Sequence, residues 1–168
     1  MASLWLEVPD LQPAVAALAA DVGNPVFVPH LTLVGQLPWD ADDERLDAAV
    51  RHPSPPATLR LSSYGTQHEG SRFLCLAADA GAELRAVFAR LYDVMPGARA
   101  EHFAGWPHVS LLYGTPPAQR RWPDPLHARD RFGGALLGEH RAVAVSVWDT
   151  AGDVGSWRRL RTWPVPAA

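Results

Sequence analysis

Cysteine and long apolar runs are both scarce in this sequence of 168 residues. Cys75 is the single cysteine, so no intramolecular disulfide can form, and its apolar neighbours Phe73, Leu74 and Leu76 place it in the predicted core. No run of about 18 apolar residues occurs, and the first residues have no basic region. We therefore expect a cytoplasmic protein without a membrane span, and an oxidising compartment is not implied.

An excess of positive charge is also absent. The formal net charge is −3 and the isoelectric point is near 6.1, with acidic and basic residues interspersed. This balance argues against a broad surface for long nucleic acids, although a local cleft can still be positive enough for a small anion. The length and the 48% hydrophobic content suit a single domain over residues 1–168.

A five-residue motif occurs twice in the chain. Pro29–Leu33 is Pro-His-Leu-Thr-Leu, and Pro107–Leu111 is Pro-His-Val-Ser-Leu. Each copy lies in an apolar run that ends near a proline or glycine, which predicts a strand. Side chains two residues apart share one face of a strand. Each copy should therefore present one histidine and one hydroxyl together: His30 with Thr32, and His108 with Ser110. The repetition indicates two matching polar sets around one site.

Apolar spacing elsewhere predicts a mixture of strands and helices. Strands are predicted at Leu4–Val8, the two motifs, Thr58–Tyr64, Arg72–Ala78, Val143–Trp148 and Trp157–Trp163. Helices are predicted after Pro9, after Asp40 and over Leu84–Met95, with loop or short helical turns between Thr115 and Gly134. This order predicts an α+β fold. Because each motif strand follows a helix, we expect two pseudo-repeated lobes with a groove between them.

The sequence resembles the 2H phosphoesterases, a superfamily named for paired H-x-[ST]-x motifs, and is most similar to the plant-type cyclic phosphodiesterases. The segments that carry the resemblance are Ser3–Pro9, Phe27–Leu33 and Pro107–Tyr113, with looser likeness at Phe73–Leu76 and in the last tryptophan-rich strand. The resemblance implies duplicated antiparallel sheets with outer helices and a central active-site cleft. It also implies metal-independent hydrolysis of ADP-ribose 1″,2″-cyclic phosphate or nucleoside 2′,3′-cyclic phosphates.

The resemblance further implies roles for individual residues. His30 and His108 correspond to the catalytic pair, Thr32 and Ser110 to phosphate ligands, and Tyr113 to a tyrosine near the phosphate. Strict alternation puts Tyr113 on the face opposite His108, so its role requires a twist or a bulge near Gly114. The disulfides of the plant enzymes have no counterpart in a chain with one cysteine, so their loop geometry is not expected here.

The proposed chemistry uses one neutral histidine as the base and one protonated histidine as the acid. The motif is symmetric, so the sequence does not decide which histidine is the base and which is the acid. Our working hypothesis takes His108 as the base and His30 as the acid. We expect no cofactor and no metal. The alternative is a metal site that includes His102, but no carboxylate or cysteine repeats alongside the histidines, and hydroxyls are poor zinc ligands.

Trp106 precedes the second motif, where its ring could stack on a nucleobase or pack in the core. The other histidines are expected to be solvated, although His68 could line the groove: His52, His68, His127 and His140. Arg120 and Arg121 could contact a diphosphate or lie in a solvated basic loop.

Two other functions stay open. One is an enzyme for RNA ends, either a 2′,3′-cyclic phosphodiesterase or an RNA ligase-like protein. The other is a module that binds phosphorylated nucleotides without turnover. The weakly acidic chain favours a small cyclic nucleotide as the partner, with no membrane partner, and we expect a monomer.

Overall fold

The computed structural model describes residues 1–37, 40, 44–52, 54–67, 73–95, 105–114 and 123–167. Its strands are β1 (Ala2–Glu7), β2 (His30–Val34), β3 (Thr58–Gln67), β4 (Phe73–Ala78), β5 (His108–Leu112), β6 (Gly138–Arg141), β7 (Ala144–Asp149) and β8 (Arg158–Pro164). Its helices are α1 (Gln12–Val22), α2 (Glu44–Arg51), α3 (Ala82–Val94) and α4 (Pro125–Phe132), with 3-10 turns at Pro9–Leu11 and Val154–Ser156.

The eight strands form one antiparallel sheet in the order β6-β3-β4-β5-β2-β1-β7-β8. The predicted α+β fold is confirmed. The two motif strands, β2 and β5, are neighbours at the centre, where Leu31 lies opposite Val109. Each motif strand is therefore the innermost strand of its own half of the sheet.

Helices cover the sheet face that carries the apolar motif residues. Leu31, Leu33, Val109 and Leu111 are at most 1% exposed and belong to the core, while α1 packs against β5 and α3 against β2. Fully burying one such side chain contributes about 1.5–3 kcal/mol. The motif histidines and hydroxyls must then lie on the opposite face, because successive side chains of a strand alternate.

The sequence explains where the helices end and which face they bury. Gly23 follows α1 with a left-handed φ of 74° and donates its backbone N–H to the carbonyl of Ala19, which ends the helix. In α3 the buried residues recur at the helical spacing, at Leu84, Val87, Phe88 and Leu91. The helix predicted over Leu84–Met95 is confirmed in this element.

Both motif strands bulge at the same motif position. Between β1 and β2 the register moves from Trp5 opposite Thr32 to Leu4 opposite Val34, so Leu33 is the extra residue. Between β4 and β5 it moves from Cys75 opposite Ser110 to Leu74 opposite Leu112, so Leu111 is the extra residue. A bulge shifts the alternation by one residue. The residues after it therefore change faces in both copies.

Two elements differ from the sequence-based prediction. β6 was not predicted, because Gly-Glu-His-Arg has no apolar alternation; the backbone of β3 pairs with it at the sheet edge. α4 forms within the stretch predicted as loop or short turns, where the Asp124 carboxylate accepts from the backbone N–H of His127 at 2.8 Å and caps the helix. None of the described helices is long and apolar enough to cross a membrane.

Candidate active site

The four motif side chains lie together on the sheet face away from the helices. With Leu31 opposite Val109, the antiparallel register puts His30 across from Ser110 and Thr32 across from His108. The two histidines are therefore diagonal neighbours, a relationship with a Cα separation of about 7–8 Å. The sequence prediction that both motifs present histidine and hydroxyl to one site agrees with this placement.

Both imidazoles make the same backbone contact. Nδ1 of His30 lies 2.6 Å from the carbonyl oxygen of Val28, and Nδ1 of His108 lies 2.9 Å from that of Trp106. A carbonyl oxygen only accepts, so each Nδ1 carries the proton and donates. Each ring thereby has the same tautomer when neutral, with Nε2 as its basic atom. Two such Nε2 atoms on adjacent strands can exchange protons with opposite sides of one bound group.

Each imidazole also packs against an indole. The ring of His30 stacks on Trp5, with centroids 3.4 Å apart and planes 6° apart. The ring of His108 lies against Trp106, with centroids 4.5 Å apart and a tilt of 32°. These contacts and the backbone acceptors leave little freedom for either ring to rotate.

Burial keeps the imidazole of His30 neutral. His30 is 1% exposed, and burial lowers its pKa from 6.5 to about 3; the Val28 carbonyl opposes the shift, and the nearby His108 adds to it. The charged imidazolium loses its hydration in such a place, which favours the neutral ring. His30 is therefore neutral at physiological pH, with its Nε2 lone pair available.

Tyr113 reaches the site because of the bulge in β5. Leu111 and Leu112 are both buried in the core, so the next residue returns to the face of His108 and Ser110. The Tyr113 hydroxyl lies 3.3 Å from Nε2 of His30. Burial raises the pKa of Tyr113 to about 12, although a hydrogen bond with Ser110 opposes the rise, so the hydroxyl stays protonated and can donate. The sequence-based requirement for a bulge is met, just before Gly114.

Trp106 supports His108 in two ways. Its carbonyl accepts from His108 Nδ1, and its ring contacts the His108 ring. The indole lies over Gly65 in β3, where an added Cβ would be 3.5 Å from Cζ2 of Trp106. Trp106 is therefore a packing partner of the second histidine, and its contact with a nucleobase stays a prediction.

The sequence did not predict a group of four residues next to His30 and behind it: Glu7, Trp5, Trp148 and Arg159. Glu7, only 4% exposed, accepts from Trp148 Nε1 at 3.1 Å and from Arg159 Nη2 at 2.7 Å, and Trp5 lies between Trp148 and His30. Trp5 and Glu7 are two apart in a predicted strand, so they share a face. That spacing, together with a carboxylate in a strand of otherwise apolar residues, was the sequence feature that could have indicated this group.

The remaining candidates lie elsewhere or outside the described residues. His52, His127 and His140 are on other parts of the surface, with His140 Nε2 3.1 Å from the carbonyl oxygen of Leu136. His68, His102, Arg120 and Arg121 lie outside the described residues. In the part of the chain that the structure describes, no group of three or more His, Cys, Asp or Glu residues is arranged to hold a metal ion.

Comparison with known proteins gives one family and several related folds. The family model of the 2'-5' RNA ligase superfamily matches residues 3–153. A search of curated proteins finds no match.

Three solved structures share the fold over almost the whole chain. A structure described as a phosphoesterase has a TM-score of 0.59 at 20% identity and covers 99% of this chain and 98% of its own. TT0787 of Thermus thermophilus has a TM-score of 0.58 at 20% identity, with 98% and 97% covered. E. coli LigT complexed with ATP has a TM-score of 0.57 at 18% identity, with 99% and 98% covered. At these identities the likeness establishes the shared fold.

Proposed function

Because the chain belongs to the 2'-5' RNA ligase superfamily, the 2H phosphoesterases, whose members act on phosphodiesters, we propose that it hydrolyses a cyclic phosphodiester on a small nucleotide. The proposed substrates are ADP-ribose 1″,2″-cyclic phosphate and nucleoside 2′,3′-cyclic phosphates. The observation that supports this most is the common face of His30 and His108, each with Nδ1 bound to a backbone carbonyl and Nε2 as the nitrogen that can exchange protons.

In the proposed reaction the two histidines act on opposite sides of phosphorus. A water oxygen forms a bond to phosphorus while Nε2 of His30 takes its proton. The bond between phosphorus and one ribose oxygen breaks, and Nε2–H of His108 gives that oxygen a proton. Each proton transfer typically contributes about 10²- to 10⁴-fold in rate. The next turnover requires the two rings to exchange their protonation states.

These roles are the reverse of the working hypothesis from the sequence, which took His108 as the base and His30 as the acid. The lowered pKa of His30 supports a neutral ring, which is the state in which a base begins the reaction. The negative charge of a bound phosphate would raise this pKa toward the range in which a histidine accepts protons efficiently. The Tyr113 hydroxyl supports the same tautomer, because a protonated hydroxyl donates to an unprotonated Nε2. The attacking water would take the place of that hydroxyl at Nε2.

Thr32 and Ser110 are the proposed donors to the nonbridging phosphate oxygens. Each lies across the strand pair from one histidine, so a phosphate between the rings is within reach of both hydroxyls. A hydrogen bond to a charged group is worth about 1.5–3 kcal/mol, or about 10- to 100-fold in affinity or rate. The interspersed charge and the net charge of −3 support a nucleotide-sized substrate over a long RNA.

Product analysis tests the proposal. The protein is incubated, with a chelator, with ADP-ribose 1″,2″-cyclic phosphate, each nucleoside 2′,3′-cyclic phosphate and an RNA with a cyclic phosphate end. Phosphorus NMR then identifies the ester bond that broke. We expect turnover of a small cyclic phosphate that His30→Ala and His108→Ala both abolish. Turnover of the RNA alone would favour the RNA-end function, and equal activity in the variants would exclude the two-histidine mechanism.

A further inference from the structure

A buried carboxylate that the proposed reaction does not use lies beside the first histidine. Glu7 in β1 is opposite His30 in the strand register, and it is 4% exposed. Both carboxylate oxygens are engaged: Oε1 accepts from Trp148 Nε1 at 3.1 Å, and Oε2 accepts from Arg159 Nη2 at 2.7 Å. A buried charge persists only when it is paired and hydrogen-bonded, as this one is.

The two groups held by Glu7 belong to a continuous stack that ends at His30. The Arg159 guanidinium lies 5.2 Å from the Trp148 ring centroid. Trp148 stacks on Trp5 with centroids 4.9 Å apart and planes 22° apart, and Trp5 stacks on His30 at 3.4 Å. Glu7 therefore fixes the outer two members of the stack through charge-assisted hydrogen bonds.

We propose that Glu7 is a positioning residue, which holds Trp148 and Arg159 so that Trp5 stays flat against His30 and Nε2 keeps its direction toward the phosphate. The catalytic part of this inference rests on the proposed function. Loss of the carboxylate removes the acceptor of Trp148 Nε1 and the partner of Arg159, so the outer stack can shift. A displacement of about 1 Å at a reacting group can cost about 100-fold in rate.

The same stack keeps water from the His30 ring. The titratable groups near that ring are His108 and Tyr113, from β5 and its end, and Glu7 of β1, which is opposite His30 in the register. Arg159 of β8 lies farther away, behind the indoles. If the stack loosens, water reaches the imidazole and the effect of burial on its pKa becomes smaller. The pKa of His30 can therefore be used to measure the effect of a Glu7 substitution without any substrate.

The chain contains a matched control with the same chemistry. Asp47 in α2 accepts from Trp163 Nε1 and from Arg161 Nη2, and the Arg161 guanidinium lies 4.7 Å from the Trp163 ring centroid. This second group also joins a carboxylate, an indole and a guanidinium, again with an arginine of β8. Within the described residues its indole shows no ring contact with either motif histidine.

The experiment records histidine side-chain NMR on the whole protein as wild type, Glu7→Ala, Glu7→Gln, Trp148→Phe and Asp47→Ala. Long-range proton–nitrogen spectra give the tautomer of His30, and a pH titration gives its pKa. We expect Glu7→Ala to mix the tautomers and raise the pKa of His30 toward 6.5. Glu7→Gln should lie close to wild type, because its amide oxygen still accepts from Trp148. Asp47→Ala should match wild type at His30.

Kinetics on the cyclic phosphate that wild type hydrolyses fastest give the second readout. Glu7→Ala should lower kcat by about 10- to 100-fold with little change in KM, because a misdirected base acts on the chemical step. Glu7→Gln should recover most of kcat, and combining Glu7→Ala with Trp148→Phe should cost little more than Glu7→Ala alone.

The outcomes separate the two proposals. If wild type turns over none of the substrates, the proposed function fails, while the His30 spectra still test the role of Glu7. An unchanged His30 tautomer and pKa in Glu7→Ala would overturn the inference, as would a loss of kcat equal to that of Asp47→Ala. If Glu7→Ala does not fold, the same comparison uses Trp148→Phe, which keeps an aromatic ring but loses the N–H donor. Unchanged His30 spectra there would also overturn it.

Discussion

The imidazole of His30 lies flat against the indole of Trp5, with ring centroids 3.4 Å apart and planes 6° apart. Tyr113 lies near the Nε2 end of the imidazole: its hydroxyl is 3.3 Å from Nε2, and the two ring centroids are 6.2 Å apart with planes 17° apart. A histidine enclosed in this way has a fixed ring plane, and Nε2 is its one ring nitrogen not bound to a backbone carbonyl. His108 also donates from Nδ1 to a backbone carbonyl, that of Trp106, but its indole neighbour is tilted. The two histidines therefore have the same tautomer, but His30 is packed more closely against its indole.

Acid should weaken the fold through His30. Burial lowers the pKa of His30 from 6.5 to about 3, so between these values the unfolded chain binds a proton that the folded chain does not. This part of the stability is present above about pH 6.5 and is lost as the pH falls toward about 3. Urea unfolding of wild type and His30→Gln checks this. We expect the free energy of unfolding of wild type, relative to the variant, to fall between about pH 7 and about pH 4.

Removal of either motif hydroxyl should impair turnover without unfolding the protein. Thr32→Val and Ser110→Ala each delete one proposed phosphate donor, and we expect kcat/KM to fall by about 10- to 100-fold. Ser146→Ala is the control, because Ser146 is a buried hydroxyl of β7 whose Oγ lies 3.3 Å from the hydroxyl oxygen of Thr162. Steady-state kinetics compare the three variants. If all three lose the same activity, the phosphate role is wrong.

Tyr113→Phe should have a smaller effect than either histidine variant. The substitution keeps the ring but removes the hydroxyl that lies 3.3 Å from His30 Nε2 and that, once water occupies Nε2, is proposed to donate to that water or to the phosphate. A typical hydrogen bond contributes about 0.5–1.5 kcal/mol, so we expect kcat to fall by about 2- to 10-fold. Tyr64→Phe is the matched control, because the Tyr64 hydroxyl donates to the carbonyl oxygen of Gly133 at 2.9 Å. A loss as large as that of His30→Ala would instead assign Tyr113 a direct part in proton transfer.

The space above Gly65 should limit the size of the side chain that this position tolerates without moving Trp106 and His108. A Cβ there would lie 3.5 Å from Trp106 Cζ2 and 3.7 Å from Cys75 Sγ, which is ordinary contact, so Gly65→Ala should be tolerated. The added methyl groups of Gly65→Val have no such room and should move Trp106, and with it the carbonyl that holds His108. We expect a loss of kcat in Gly65→Val only. Side-chain NMR of His108 checks the cause, because an unchanged ring signal would contradict it.

Much of the site was predictable because its signal is local. Histidine and hydroxyl two residues apart in an apolar strand share a face, and the repeat of the motif predicted a second set. Tyr113 needed one more piece of information, the bulge at Leu111, which returns it to the face of His108. β6 could not be predicted because its pairing with β3 depends on backbone hydrogen bonds, which four polar residues do not reveal.

Glu7 and Trp148 could not be paired from the sequence because 141 positions separate them. The alternation within β1 indicated only that Glu7 shares a face with Trp5. Antiparallel pairing of β1 with β7 brings Trp148 to the same side of the sheet as Glu7. The two side chains are long enough for the indole N–H to reach the carboxylate.

By itself the sequence determined the α+β class, the polar face of each motif strand and the identity of the four motif side chains, because alternation and helical spacing depend on near neighbours. The tertiary structure decided that β2 and β5 are adjacent, that Leu31 lies opposite Val109, and that His30 is enclosed by Trp5. Strand register and ring stacking depend on contacts between distant segments. The pKa of a histidine follows from that enclosure, so the proposed assignment of base and acid also depends on the folded chain.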